Sequence, residues 1–187
     1  MGELLLAWMD LETTGLSPED DQILEMALVL TDADLAIRSS HVWLARTHEG
    51  FEQMVAGLPV RVRELHERSG LLERLAEEWS GLPTALQLDG EVVSRLPSAD
   101  EGRVLLAGSG TDRFDRRFLE RWMPRTSGRL HYRGVDVSPV RLMASLWAPG
   151  LEAELEECQP MLPHRALPDV MAALEQARTV RRFLARG

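Results

Sequence analysis

Cysteine is almost missing from this sequence, and lysine and long apolar runs are missing altogether. Cys158 is the only cysteine, and all 21 basic residues are arginine. Because a disulfide needs two cysteines, the sequence excludes an internal disulfide framework and makes a cysteine-based zinc site implausible. No apolar run reaches membrane-spanning length, and the N-terminus lacks the pattern of a secretory signal. We therefore expect a soluble, cytoplasmic protein without a membrane partner.

Positive charge is scarce, because 21 basic residues stand against 30 acidic ones and give a net charge of -9. A protein that coats long nucleic acid needs a large basic surface, so that class is not expected. A small metal-dependent site remains compatible, since clustered acids hold cations and the cations meet the phosphate. The length of 187 residues and the hydrophobic fraction of 44% predict one globular domain over residues 1–187.

The hydrophobic pattern predicts a mixed α/β domain, with helices packed on a sheet that begins as an antiparallel meander of three strands. Strands are expected within residues 4–15 and at residues 23–30, 41–45, 103–107 and 131–137. Helices are expected at residues 59–79 with a break near Gly70, and at residues 84–96, 112–122, 139–147 and 167–185. Ser138 is the expected N-cap of the helix over 139–147, and residues 148–163 are expected to be mostly loop.

The first strand ends in two acids, in the stretch LLLAWMDLETTG of residues 4–15. Side chains alternate between the faces of a strand, so Asp10 and Glu12 project to one side while Leu11 points into the core. Two neighbouring acids repel each other unless one is protonated or a cation lies between them, and magnesium prefers carboxylate oxygens. The pair predicts either a metal site or a coincidental acid pair at a strand end.

Three further residues combine with this pair. Asp115 lies at the start of the helix that follows the fourth strand, and His164 and Asp169 flank the start of the last helix. Singly, an acid in the first turn of a helix complements the helix dipole, and a loop histidine is usually exposed. These ordinary explanations are less satisfactory when the residues are taken together, as the ordered motifs Asp-x-Glu, Phe-Asp-x-x-Phe-Leu and His-x-x-x-x-Asp.

That ordered set resembles the DEDD exonuclease superfamily, in the DEDDh branch that carries a histidine in its third motif. The similarity extends to the oligoribonuclease family over nearly the whole chain. The matching blocks are residues 8–16, 32–35, 69–71, 131–133 with 136–138, and 164–169. The resemblance implies an RNase H-like exonuclease fold and stepwise removal of nucleotides from the 3′ end of short oligoribonucleotides, down to dinucleotides, as nucleoside 5′-monophosphates.

The resemblance also implies roles for the five residues. Four acids would hold two divalent cations, Mg²⁺ or Mn²⁺: Asp10, Glu12, Asp115 and Asp169. Such a metal pair clamps the attacking and leaving oxygens of an in-line displacement. His164 would be the general base that takes a proton from the attacking water, a role that suits imidazole near neutral pH.

Substrate contacts and a partner follow from the same resemblance. Leu16 would wedge between the two bases of a short substrate, although it could instead be a turn leucine packed on the core. Arg133 and Ser138 would bind the terminal phosphate, and Thr13 and Thr111 are further expected substrate contacts. His131 and Tyr132 would reach the neighbouring subunit's site in a homodimer, the alternative being a polar edge strand.

Two departures from the family pattern leave alternatives open. The loop before Asp115 is one residue longer, so Asp112 competes with Asp115 as the third metal acid. Arg61 stands where an aromatic residue is usual, and its planar guanidinium can still stack on a base. The alternative functions are a general single-strand DNA or RNA exonuclease of the same branch and an inactive nucleic-acid-binding module.

Overall fold

The computed structural model describes residues 3–98, 100, 102–158 and 164–186. Its centre is a five-stranded sheet in the order β3-β2-β1-β4-β5. The strands are β1 (Glu3–Thr13), β2 (Ile23–Asp32), β3 (Ile37–Leu44), β4 (Gly102–Gly108) and β5 (His131–Asp136). The helices are α1 (Phe51–Gly57), α2 (Val60–Arg68), α3 (Leu71–Glu78), α4 (Ala85–Ser94), α5 (Asp115–Trp122), α6 (Pro124–Arg129), α7 (Val137–Trp147), α8 (Pro149–Glu157) and α9 (Ala166–Leu184).

The sheet is mixed. β1 pairs antiparallel with β2, and β2 pairs antiparallel with β3, so the predicted meander is confirmed. β1 also pairs in parallel with β4, and β4 in parallel with β5. Parallel neighbours need a long crossover connection, which here runs through helices. This arrangement of helices on a mixed sheet confirms the predicted α/β class.

β1 is buried on both faces, which explains its almost continuous apolar sequence. Leu5, Ala7, Met9 and Leu11 point to one face and join a core with residues of α4 and α5. The alternate residues Leu6 and Trp8 point to the other face and pack with residues of α9. Asp10 and Glu12 continue this second row, so the acids extend an apolar row beneath α9.

Two local predictions were wrong. Residues 149–157 form α8, where Pro149 occupies the first turn, a position that does not need a backbone N–H. Leu151 and Leu155 of this helix pack against α9, and residues 159–163 of the expected loop lie outside the described residues. Asp136, rather than Ser138, is the N-cap of α7, because its side chain accepts a hydrogen bond from the Ser138 amide.

Two short helices were missed, α1 and α6. The acid Asp89 of α4 stabilises α6 across the fold, since its carboxylate accepts hydrogen bonds from the Arg125 and Thr126 amides at 2.8 Å. A cap supplied by a distant residue leaves no local pattern in the sequence. Among the described residues, none of the helices combines the length and apolar character needed to cross a bilayer.

Candidate active site

Three carboxylates meet beside β1. Asp10 and Glu12 stand two residues apart on the strand, and Asp169 comes from the first turn of α9, which packs on the same face. One oxygen of each carboxylate lies within 4.8 Å of the oxygens of the other two. The acids therefore form a cluster with the ligand type and spacing that a hard divalent cation needs.

Asp115 lies next to this cluster but outside its 4.8 Å grouping. It is the first residue of α5 and only 2% exposed. Its carboxylate accepts hydrogen bonds from its own amide and from the amide of Leu11, which separates Asp10 from Glu12 on β1. The charge of Asp115 also raises the pKa of Asp10, so the two acids are electrostatic neighbours.

Asp112, the competing third acid, is placed differently. It is exposed and forms an ion pair with Arg116 of α5 at 3.1 Å. Arg116 in turn donates a hydrogen bond to the carbonyl oxygen of His131 on β5. Asp112 therefore supports the surface of α5 and β5, and Asp115 is the acid that the structure brings beside Asp10.

Burial and mutual repulsion disfavour the charged forms of these acids. Burial raises the pKa of Glu12 to about 8, and the charge of Asp169 adds to the rise. Burial likewise raises the pKa of Asp115 to about 8 and that of Asp169 to about 6. The pKa of Asp10 is raised by burial first and then by Asp115. Without a cation, protons must neutralise part of the cluster.

Unpaired carboxylate oxygens in the cluster and on the neighbouring Asp115 are compatible with a bound metal ion. Oδ1 of Asp115 and Oδ1 of Asp169 are buried and have no hydrogen-bond partner. Buried carboxylate oxygens without partners are costly, and a cation is the partner that would stabilise them. Oxygen-only ligands and a concentration of negative charge suit Mg²⁺ or Mn²⁺.

His164 lies at the rim of the cluster. It is exposed and directly precedes Arg165, the N-cap residue of α9. Its charge lowers the pKa of Asp169, which places the imidazole in electrostatic range of the acids. Its backbone φ of 50° lies in the left-handed region, which is uncommon for a residue other than glycine. Such a conformation persists only where the surrounding structure holds it.

His66 is a neighbour of the cluster that sequence reasoning missed. It projects from α2 and is 1% exposed. Nε2 donates to the carbonyl oxygen of Thr13 at 2.8 Å, so Nδ1 is the acceptor nitrogen of a neutral ring. Nδ1 lies 3.7 Å from Oε2 of Glu12 and has no hydrogen-bond partner, and burial lowers the pKa of the ring.

Leu16 lies in the turn after β1 and is 77% exposed. The alternative that it packs on the core is therefore wrong. Asp21 holds this turn by accepting hydrogen bonds from Thr14 and from the Ser17 amide. The preceding Thr13 is buried and donates to the carbonyl oxygen of Gly15.

The remaining predicted substrate residues differ in their exposure to solvent. Tyr132 and Arg133 are exposed on β5, and Ser138 is exposed on α7 with its Oγ 3.3 Å from Oγ of Ser109. One oxygen of Asp136 joins the segment after β4 to the first turn of α7, because it accepts hydrogen bonds from the Gly110 and Ser138 amides at 2.9 Å. Thr111 is buried with an unpartnered hydroxyl, and Arg61 is exposed on α2.

Sequence comparison decides the family. Residues 7–55 match the profile of a family described as Exonuclease. Over 180 residues the chain is 34% identical to an oligoribonuclease of Coxiella burnetii, covering 96% of this chain and 93% of that one. An oligoribonuclease of Ectopseudomonas mendocina is 32% identical over 177 residues, which cover 94% and 93%. The chain belongs to the oligoribonuclease family. The DEDDh branch within the wider superfamily stays a prediction.

Solved structures confirm the predicted fold of this oligoribonuclease family member. Exonuclease I of Methylocaldum szegediense superposes with a TM-score of 0.66 at 21% identity over 97% of this chain. Escherichia coli exonuclease I in complex with a dT13 oligonucleotide carrying a 5cy group gives a TM-score of 0.63 at 16% identity. The chain spans 41% of either exonuclease I chain, so these matches establish the RNase H-like exonuclease fold. Family and fold together confirm an exonuclease-type hydrolase.

Proposed function

We propose that this protein is a 3′-to-5′ exoribonuclease that degrades short oligoribonucleotides, down to dinucleotides, to nucleoside 5′-monophosphates. The observation that carries the proposal is the meeting of Asp10, Glu12 and Asp169 within 4.8 Å, in a chain of the oligoribonuclease family. An inactive binding module has no use for buried, mutually repelling acids, which lower the stability of the fold. A cytoplasmic location is part of the proposal.

The four acids Asp10, Glu12, Asp115 and Asp169 would hold two divalent cations, Mg²⁺ or Mn²⁺. When bound, such a pair stabilises the charge that develops on the attacking and leaving oxygens of the phosphodiester. The raised pKa values of the acids support this role, because a cation would replace the protons that neutralise them. Burial by β1, α5 and α9 fixes the acids before any substrate arrives.

His164 is proposed as the general base that accepts a proton from the attacking water. Its exposed position at the rim of the acid cluster leaves the imidazole accessible to water and substrate. The charge of His164 lowers the pKa of Asp169, so the two side chains are electrostatic neighbours, and a general base must lie within reach of the water it activates.

Three exposed residues, together with two buried threonines, are proposed to bind the substrate. Leu16 presents an apolar side chain that can pack between two bases, because it is held out of the core by the turn after β1. Arg133 and Ser138 offer a guanidinium and a hydroxyl to the terminal phosphate. Thr13 and Thr111 are proposed as further contacts, and the unpartnered hydroxyl of Thr111 supports its assignment.

A homodimer is part of the proposal. α7 carries four large apolar side chains that are at least half exposed: Leu142, Met143, Leu146 and Trp147. A contiguous apolar surface of this kind is typical of a protein interface. Tyr132 on the adjacent β5 is 73% exposed, and in a dimer we propose that it extends toward the site of the second subunit.

The test is a digestion of short RNA longer than a dinucleotide and labelled at its 5′ end, with Mg²⁺ present. The proposal predicts that the labelled strand shortens one nucleotide at a time from its 3′ end, and that nucleoside 5′-monophosphates appear as products. Asp10→Asn is the matched inactive control, since it keeps the size of the side chain and removes a ligand charge. Release of the label as a mononucleotide at the first step would contradict the direction of cleavage.

A further inference from the structure

A buried ion pair behind the acid cluster joins β2 to the start of α9. Nε of Arg165 donates to the two carboxylate oxygens of Glu25 at 2.9 and 3.1 Å, and Nη2 donates to Oε1 at 2.6 Å. Glu25 is 2% exposed, whereas the Arg165 side chain is 20% exposed. Glu25 also lies directly opposite Glu12 in the ladder of β1 and β2. The pair is therefore fixed to the strand that carries the acids.

Glu25 also provides the N-terminal cap of α9. The residue at the N-cap position, Arg165, makes no side-chain capping bond of its own. Oε2 of Glu25 accepts a hydrogen bond from the Ala166 amide at 2.9 Å. This amide is one of those that a helix leaves unpaired at its start, and a carboxylate there also complements the helix dipole. A strand residue thus holds the first turn of the helix.

Arg165 connects the ion pair to two residues of the site. His164 is its neighbour along the chain and has a φ of 50°, a conformation that needs support from the surroundings. The carbonyl oxygen of Arg165 accepts the Asp169 amide at 3.1 Å. Glu25 therefore holds both the guanidinium of Arg165 and the next backbone amide, so the backbone that follows His164 is anchored on both sides of the Arg165 carbonyl group.

The charges of the pair explain why both members are needed. Glu25 adds negative charge beside the cluster and raises the pKa values of Glu12 and Asp169, while Arg165 lowers that of Glu12. A buried carboxylate without its partner would remain as an uncompensated charge, which is strongly unfavourable. Together the two side chains hold the start of α9 without adding net charge to the acid cluster.

We propose that Glu25 and Arg165 are positioning residues that act through His164, holding its imidazole in place for the proton transfer. The inference rests on the proposed function, because His164 is the general base there. Neither residue contacts the reacting atoms in this account. Their contribution is to hold the backbone of residues 164–166 as a fixed support for the imidazole.

The test compares Arg165→Lys with Arg181→Lys. Arg181 also joins α9 to β2 and β3, through Asp34, but at the far end of the helix. Lysine keeps the charge at either position and removes the two-pronged contact. We expect Arg165→Lys to lower kcat on short RNA by about 10- to 100-fold, the loss typical of residues that orient metal ligands from behind. The KM and the Mn²⁺ affinity, measured by calorimetry, should stay near those of the wild type, and Arg181→Lys should match the wild type throughout.

A second comparison separates positioning from general loosening of the fold. In a His164→Ala background, Arg165→Lys should lower kcat little further, because the residue through which it acts is gone. An equal loss with and without His164 would overturn the proposal. Glu25→Gln, which keeps an acceptor for the Ala166 amide, should reproduce the effect of Arg165→Lys.

Amide hydrogen exchange tests whether Glu25 and Arg165 support His164, and it needs no measurement of enzyme activity. Exchange at the amides of residues 164–166 should accelerate in Arg165→Lys and stay unchanged in Arg181→Lys, because only the first variant loses the guanidinium contact beside His164. Unchanged exchange in both variants would overturn the proposal, whatever their kcat values are. An inactive wild-type protein with accelerated exchange in Arg165→Lys would instead contradict the proposed function and leave the structural support standing.

Discussion

Glu12 and Asp169, which come from opposite ends of the chain, present carboxylate oxygens within 4.8 Å of each other. Each acid is buried enough to have a raised pKa, and the charge of Asp169 contributes to the rise at Glu12. The packing of α9 on β1 therefore brings two repelling acids together, at an electrostatic cost to the metal-free fold.

The metal-free protein should lose stability as pH rises. The pKa of Glu12 is about 8 in the folded chain against an ordinary 4.5, and that of Asp169 is about 6 against 3.8. Acids with a raised folded pKa bind protons more tightly in the folded state, so their stabilising effect is lost as pH rises through the folded value. In the presence of a chelator, Tm should be lower at pH 8.5 than at pH 5.5. The free energy of unfolding should be smaller at pH 8.5 by about 2 kcal/mol or more.

Magnesium should reverse this loss. Mg²⁺ should raise Tm more at pH 8.5 than at pH 5.5, because at low pH protons compete for the same oxygens. Asp169→Asn should flatten the pH dependence in chelator, since it removes one of the repelling charges. In chelator, a higher Tm at pH 8.5 than at pH 5.5 would contradict the assignment of raised pKa values to these acids.

The third acid can be identified with a matched pair of substitutions. Asp115→Asn should lower kcat by more than about 100-fold, because even residues that only orient a metal ligand are worth 10- to 100-fold. Asp112→Asn should leave kcat close to the wild-type value, since Asp112 is exposed and pairs with Arg116. Steady-state kinetics with short RNA decides the matter, and the opposite ranking would make Asp112 the metal acid.

Sequence patterns predicted the parts of the fold that depend on local periodicity. The alternation along β1 placed Asp10 and Glu12 on one face and Leu11 in the core, and the structure agrees. The long amphipathic helix at the C-terminus was also predicted, and it brings Asp169 to that face. Both inferences needed only side-chain spacing within a single element.

The parts that were missed depend on contacts between distant residues. His66 lies among the apolar positions of a surface helix, and no neighbouring residue indicates that its ring contacts Glu12 and the carbonyl oxygen of Thr13. The Glu25 and Arg165 pair joins residues far apart in the chain, so no spacing rule can reveal it. The cap of α7 was assigned to Ser138 because Ser-Pro is a common start, but Asp136 satisfies the amide instead.

Removal of the histidine should separate metal binding from turnover. His164→Ala should lower kcat by about 10²- to 10⁴-fold, the usual contribution of a general base. Mn²⁺ affinity should be retained, because the four acids remain in place. His41→Ala, which changes a histidine on the edge strand β3, is the matched control and should keep full activity. Persistent turnover in His164→Ala would mean that another group accepts the proton.

The apolar surface of α7 should control assembly. Light scattering of the wild type should give about twice the chain mass of 21.0 kDa. Leu142→Glu should give a monomer of normal stability, since exposed positions tolerate substitution within about 0.5 kcal/mol. Leu86→Glu, at a 57% exposed leucine of α4, should remain a dimer. A monomeric wild type would contradict the dimer and the role proposed for Tyr132.

The relative rate on substrates of different length is the sharpest test of the proposed function. Purified protein with Mg²⁺ should be given RNA dinucleotides, longer RNA and single-stranded DNA of matched sequence, and kcat/KM measured for each. We predict the highest value for the dinucleotide, a lower one for longer RNA and the lowest for DNA. Faster cleavage of long RNA or of DNA than of dinucleotides would contradict the proposed substrate class, even if the acids bind metal as described.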